Sequence, residues 1–166
     1  MMTETAELAP DPVSDRVLRS FAGYALKRAS NAVQADLVRT LEPFGLRMIT
    51  FTALLLIVEN PDLSQTQLAG VLAVERSNLV TIVDELEQAG WIARGQSPRD
   101  RRSHALRATS AGERLCTAAR RAVEAHEARL FSSIGADGKA MLVAALGLVE
   151  NAGNKPPVGA ISGAAR

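Results

Sequence analysis

Two short stretches of this chain carry side chains able to do chemistry at a surface. The first is Arg76-Ser77-Asn78, with Thr81 a helical step further on. Asparagine can bridge adenine, arginine can bridge guanine, and hydroxyls reach a base edge or a phosphate. The second is RGQSPRDRRSHALR, residues 94–107, with five arginines against one aspartate. Such a loop can lie along a phosphate backbone and put an arginine into a narrow, negative minor groove. Charged loops are more often only solvated, and polar helix starts are more often only caps. Neither stretch decides alone; their order along the chain does.

The rest of the composition narrows the choice. With 19 Lys+Arg against 18 Asp+Glu, the 166-residue chain is nearly neutral, so a polyanion must be met by a patch. It is 47% hydrophobic but only 4% aromatic, which favours helices over a largely β structure. Cys116 is the only cysteine, so no intramolecular disulfide can form. His104 and His126 are isolated, without zinc-site spacing, and no metal or cofactor is expected. There is no Gly-rich phosphate loop, nucleophile elbow or paired-carboxylate motif, so the chain does not read as an enzyme. The longest apolar run, Ala53 to Val58, falls far short of the roughly 20 residues of a membrane span. A cytoplasmic protein without a membrane partner is the simplest reading.

The elements that must position the two stretches follow from periodicity. Residues 1–14 and 153–166 read as disordered ends around a single domain, 15–152. Apolar residues three or four apart predict a first helix over about 15–41, stopped by Pro43 and Gly45, and a buried second helix over 47–59. Ser64 followed by Gln67 fits a capping box opening a short helix, 65–72. A helix over 75–89 follows, with Leu79, Ile82, Val83 and Leu86 as its apolar stripe and Gly90 as its stop. Strands at 91–93 and 103–108 flank the arginine stretch as a hairpin. Two more helices, 110–133 and 137–151, close the chain, the first capped by Thr109 or Ser110. The expected fold is mainly α with a small β-hairpin: a winged helix-turn-helix at about 46–109 between outer helices at 15–41 and 110–152. Arg76, Ser77, Asn78 and Thr81 then stand at the start of the second helix of the helix-turn-helix, the part that enters a major groove.

At these residues the chain resembles the MarR family of bacterial transcriptional regulators. The resemblance rests on Leu63-Ser64-Gln65 through Leu68-Ala69, Val83-Asp84-Glu85-Leu86-Glu87, Gly90-Trp91-Ile92-Ala93-Arg94, Pro98-Arg99-Asp100-Arg101-Arg102 and Thr109-Ser110-Ala111-Gly112. Ala108 departs from it, because the family usually has leucine before that threonine. The resemblance implies a triangular winged-helix dimer whose terminal helices join two DNA-reading lobes. It implies that wing arginines enter the minor groove, a role that falls on Arg101 and Arg102, with Arg102 favoured; Arg99 and His104 of the wing are further DNA-binding candidates, His104 being DNA-facing or solvated. It further implies that Asp84, with Asp100, orients the wing, Asp84 through an ion pair with a wing arginine.

The apolar stripes support the dimer independently. Leu18, Phe21, Leu142, Leu146 and Val149 are interface candidates, the alternative being three-helix packing within one chain. Double-stranded DNA, a second copy and a small aromatic or anionic effector are the expected partners, with repression the expected outcome. Tyr24, Arg28 and Arg47 are candidates for the effector cleft, although each can equally be a surface residue. Two rivals stay open: a winged helix that binds protein, which would not need the paired wing arginines, and a regulator switched by oxidation of Cys116, which instead reads as a buried thiol.

Overall fold

The computed structural model describes residues 14–96 and 104–153. Six helices and a small sheet follow in the order α1 (Ala22–Leu41), α2 (Met48–Glu59), β1 (Leu63–Ser64), α3 (Gln65–Leu72), α4 (Arg76–Gln88), β2 (Ile92–Gln96), β3 (His104–Ala108), α5 (Ser110–Leu130) and α6 (Gly135–Gly153). The winged helix-turn-helix expected from the sequence is present. Of the two chain ends expected to be disordered, residues 1–13 and 154–166 lie outside the described residues, while Gly153 ends α6.

The core forms where the near-wholly apolar α2 meets everything else. Ala53, Leu54 and Ile57 of α2 pack with Leu68 of α3, Leu79, Ile82, Val83 and Leu86 of α4, Ile92 and Leu106 of the sheet, and Cys116 of α5. A second cluster, Leu41, Leu46, Phe51 and Ala119, joins α1 and α5 to this lobe. Helix α5 therefore belongs to both parts. Its buried residues Gly112, Cys116, Ala119 and His126 recur at helical spacing and are mostly small, so the helix can approach closely.

The capping box forms as the spacing predicts: the Gln67 N–H donates to Ser64 Oγ (3.2 Å) and the Ser64 N–H to Gln67 Oε1 (3.0 Å). Between α3 and α4, Ala73 adopts a left-handed conformation (φ 51°), and the Val74 N–H donates to the Ala69 carbonyl (3.2 Å). Holding an alanine there costs about 1–2 kcal/mol, which the packed turn must offset. At the end of α4, Gly90 (φ 72°) lets the Trp91 N–H reach the Leu86 carbonyl (3.0 Å), turning the chain into β2.

Several boundaries differ from the sequence reading: β2, expected over 91–93, runs on to Gln96, and α6 spans Gly135–Gly153 rather than 137–151. The sheet has three strands in the order β1-β3-β2, because Leu63 and Ser64 pair antiparallel with Leu106 and Ala105. The first helix starts at Ala22 rather than near Asp15: Leu18–Ser20 is a 3-10 turn, and Phe21 is extended (φ −89°, ψ 122°), which interrupts the helical ladder. Asp15 holds this bend by accepting from Arg19 Nε (2.7 Å) and from the Tyr24 hydroxyl (3.1 Å). The fifth helix ends at Leu130, after which a 3-10 turn and Gly135 (φ 67°) lead into α6.

Candidate nucleic-acid interface

Core packing decides which side of α4 faces outward. With Leu79, Ile82, Val83 and Leu86 buried, Arg76, Ser77, Asn78 and Thr81 are exposed over the first two turns. The N-cap, Glu75, makes no side-chain hydrogen bond to the first turn. Such a helix start offers N–H groups and a partial positive charge to an anion. Arg76 Nη2 donates to Thr66 Oγ1 (3.3 Å), which links the start of α4 to the first turn of α3.

Beside α4, β2 and β3 run antiparallel in the register Ile92 to Ala108 through Gln96 to His104, so His104 stands at the outer end of the described hairpin. Arg99, Asp100, Arg101 and Arg102 lie outside the described residues.

The wing arginine that Asp84 pairs with is Arg94. Its guanidinium bonds to Asp84 Oδ1 and to Glu87 Oε2 (3.2 Å), while its N–H donates to Glu87 Oε1 (3.3 Å). One residue of β2 thus grips two turns of α4. The same pairing places a positive charge beside two carboxylates that would otherwise repel a polyanion from this face. Arg94 closes the Gly90–Arg94 segment of the motif, but the sequence does not show that Asp84 and Glu87 are its partners. A second ion pair, Arg107 to Asp62, ties β3 to the turn before α3.

The root of the wing is joined to α5 through backbone. The Thr109 N–H donates to the Trp91 carbonyl (2.9 Å), and its hydroxyl to the Gly90 carbonyl (2.7 Å). Thr109 Oγ1 also accepts the Gly112 N–H (3.1 Å), making Thr109 rather than Ser110 the cap of α5. A Cβ on Gly112 would fall 1.9 Å from the Trp91 carbonyl oxygen. Glycine is therefore the residue that this approach of helix to strand permits.

The effector-cleft candidates divide. Tyr24 and Arg28 come together at Asp15: the Arg28 guanidinium lies 3.7 Å from the carboxylate and 5.8 Å from the centroid of the Tyr24 ring. Arg47 is instead paired with Glu85 of α4. All three are engaged by groups of the protein.

A cluster joining α1 to α5 was not legible in the sequence. Asp36 accepts from His126 Nδ1 (2.8 Å), Arg129 Nη2 (2.6 Å) and Arg39 Nη2 (2.8 Å). An ionised carboxylate only accepts, so His126, itself buried, carries its proton on Nδ1. Arg39 first, then Arg129 and His126, hold the Asp36 carboxyl well below the usual carboxylate range. His126 and Arg129 are 90 and 93 residues from Asp36 along the chain, and no motif announces them.

The MarR family model matches residues 46–104, which contain the helix-turn-helix and β2. An HTH-type transcriptional repressor from Mycobacterium tuberculosis is 31% identical over 114 residues, 69% of this chain and 82% of that protein. The chain belongs to the MarR family. A putative transcriptional regulatory protein for the hcr operon of Thauera aromatica is 37% identical over 91 residues; the match takes in 54% of this chain and 55% of that protein's length. Among solved structures, the transcriptional repressor CouR bound to a 23-mer DNA duplex superposes with a TM-score of 0.79, at 35% identity over 84% of this chain and 99% of that one. CouR bound to p-coumaroyl-CoA gives 0.74, at 33% identity over 84% and 98%. As a MarR-family protein, the chain is a winged helix-turn-helix transcriptional regulator.

Proposed function

We propose that this MarR-family regulator is a homodimeric repressor that binds a pseudo-palindromic operator and lets go when a small aromatic or anionic effector binds. In this reading α4 lies in the major groove, with Arg76, Ser77, Asn78 and Thr81 at the bases. The wing loop places Arg102 in the adjacent minor groove, with Arg99, Arg101 and His104 along the backbone. The observation that carries the reading is the outward polar start of α4 fixed beside the wing by Arg94. The likeness to CouR on its duplex supports it.

Dimerisation is supported by the apolar side chains that one protomer leaves in water. Val17, Leu18 and Phe21 before α1 are exposed, as are Met141, Leu142, Val143, Leu146, Leu148 and Val149 of α6. By length and composition Ser132–Gly153 is apolar enough to cross a membrane. A second copy gives the same side chains a protein partner. Effector release is supported by CouR with p-coumaroyl-CoA, and Tyr24, Arg28 and Arg47 remain the cleft candidates. The work is done by binding alone, in the cytoplasm with the chromosome. An effector releases DNA only through tighter binding to the lobe spacing that DNA does not favour.

Titrating the purified protein against a fluorescent duplex of its own upstream region, over a range of salt, tests the proposal. Selective binding with a steep salt slope is expected. Arg102→Ala should weaken it by about 1–3 kcal/mol and flatten the slope, with the fold intact. Equal affinity of parent and variant at every salt concentration would remove the minor-groove role.

A further inference from the structure

Among the large apolar side chains left exposed, Met48, Val71 and Val80 belong to the lobe, and of these Val80 is the one on α4. It is 43% exposed on α4, whereas its neighbours Leu79, Ile82, Val83 and Leu86 are all at 6% or less. Val80 lies four residues after Arg76 and three after Ser77, so it continues the face they begin, with Thr81 alongside and Asp84 one turn further on. Asp84 is held by Arg94, so the carboxylate nearest this valine has its charge compensated. A β-branched side chain left 43% exposed in the middle of a polar helix face contributes less to the fold than a buried one. It also lowers helix propensity.

We infer that Val80 is a specificity-determining residue that packs against the C5-methyl group of a thymine in each operator half-site. The inference rests on the DNA-binding reading above. Among the base-pair edges of the major groove, the thymine methyl is the one apolar group, and an apolar side chain is its natural contact. Valine suits this task because its branched Cβ leaves one strongly preferred rotamer in a helix. Its two methyls are presented in place, and little freedom remains to be lost on contact. Arg76 and Ser77, one turn earlier, supply the polar contacts that bracket it.

Removing that methyl from the DNA tests the inference without touching the protein. Duplexes enriched from a random pool by the parent protein are remade with deoxyuridine in place of each thymine in turn. At one thymine per half-site the parent should lose about four-fold in affinity, the value of one buried methyl group. Val80→Ala, which keeps only the Cβ of the three side-chain carbons, should lose most of this discrimination between thymine and deoxyuridine; Val80 lies outside the core and alanine favours helix, so the variant keeps its fold. Enrichment of a sequence with no half-site thymine sensitive to its methyl, or sensitivity undiminished in Val80→Ala, would overturn the assignment alone. Failure to enrich any sequence would overturn the DNA-binding reading and the assignment with it.

Discussion

Helices α4 and α6 are both assembled from short runs of aliphatic side chains, yet one is seated in a core and the other is not. On α4 four of the five apolar residues fall on one stripe and are buried against α2, the sheet and α5, with Val80 off it. On α6 they fall nearly all round, none is buried, and Met141 and Leu148 are each 73% exposed. Burial of an apolar side chain stabilises by about 1.5–3 kcal/mol relative to leaving it in water. The lobe collects that within one chain. The arm finds no such partner among the described residues of its own chain, so a second chain is its route to burial, while the packing that sets α4 beside β2 is already made within the protomer.

The most severe way to break this comparison is to charge the arm and leave the lobe alone. Leu142→Glu with Leu146→Glu should give a monomer by sedimentation. Its affinity for a two-half-site operator should fall about a hundred-fold or more, because the second lobe no longer binds as part of the same molecule. The lobe should stay folded by hydrogen exchange of α2 to α4. A variant that sediments as a dimer with parental affinity would place the interface elsewhere.

Next in size is a substitution where lobe meets arm. Gly112→Ala puts a Cβ into the Trp91 carbonyl, and backbone cannot move aside as a side-chain tip can. A loss of about 3 kcal/mol in chemical denaturation is expected, the upper range for overpacking. Ser110→Ala, beside it but not the cap, should cost little. Equal costs would mean that the joint tolerates displacement and that Thr109 alone holds it.

What was readable in the sequence divides along the same line. Periodicity and capping are local, so α2, α3, the apolar stripe of α4, the Ser64–Gln67 box and the Gly90 stop are all legible from residues within one turn of each other. The exposed start of α4 follows from them. Strand β1 was missed because it is two residues long and its Ser64 is already read as a cap. The bend at Phe21 was missed because an amphipathic pattern runs straight through it. Long-range pairs leave no local trace: Arg94 has a place in the motif, but its partners show only when Asp84 and Glu87 are brought against it, and Asp36 meets His126 only once α1 and α5 cross. Gly112 had a recognisable place in the motif, but its reason, the carbonyl 1.9 Å from a Cβ, exists only in the packed fold.

The Asp36 cluster sharpens the boundary between the two regions through pH. A carboxylate held below its usual range stabilises the folded state above its unfolded pKa, about 3.9, and that contribution is lost as pH falls through the lower folded value. Denaturation midpoints of the parent should therefore exceed those of Asp36→Asn at neutral pH, with the gap unchanged down to about pH 4 and closing below it. A gap that persists undiminished to pH 2 would show that the asparagine disturbs packing and that the charge contributes nothing.

The smallest expected effect concerns Cys116, the one residue of α5 buried in the lobe core that oxidation could alter. Nucleophilic and oxidisable cysteines are exposed thiolates. Cys116 is buried, and its burial first, then the charge of Glu59, raise the thiol above its ordinary range, with Arg120 opposing only weakly. The thiol is therefore protonated at neutral pH and shielded from peroxide. Treatment with mild peroxide should leave operator affinity unchanged in both the parent and Cys116→Ser. Loss of binding in the parent alone would mean that α5 opens far enough to expose its buried face. The lobe would then lose its standing as the region packed within one protomer, and the redox-switched regulator left open by the sequence would become the better description.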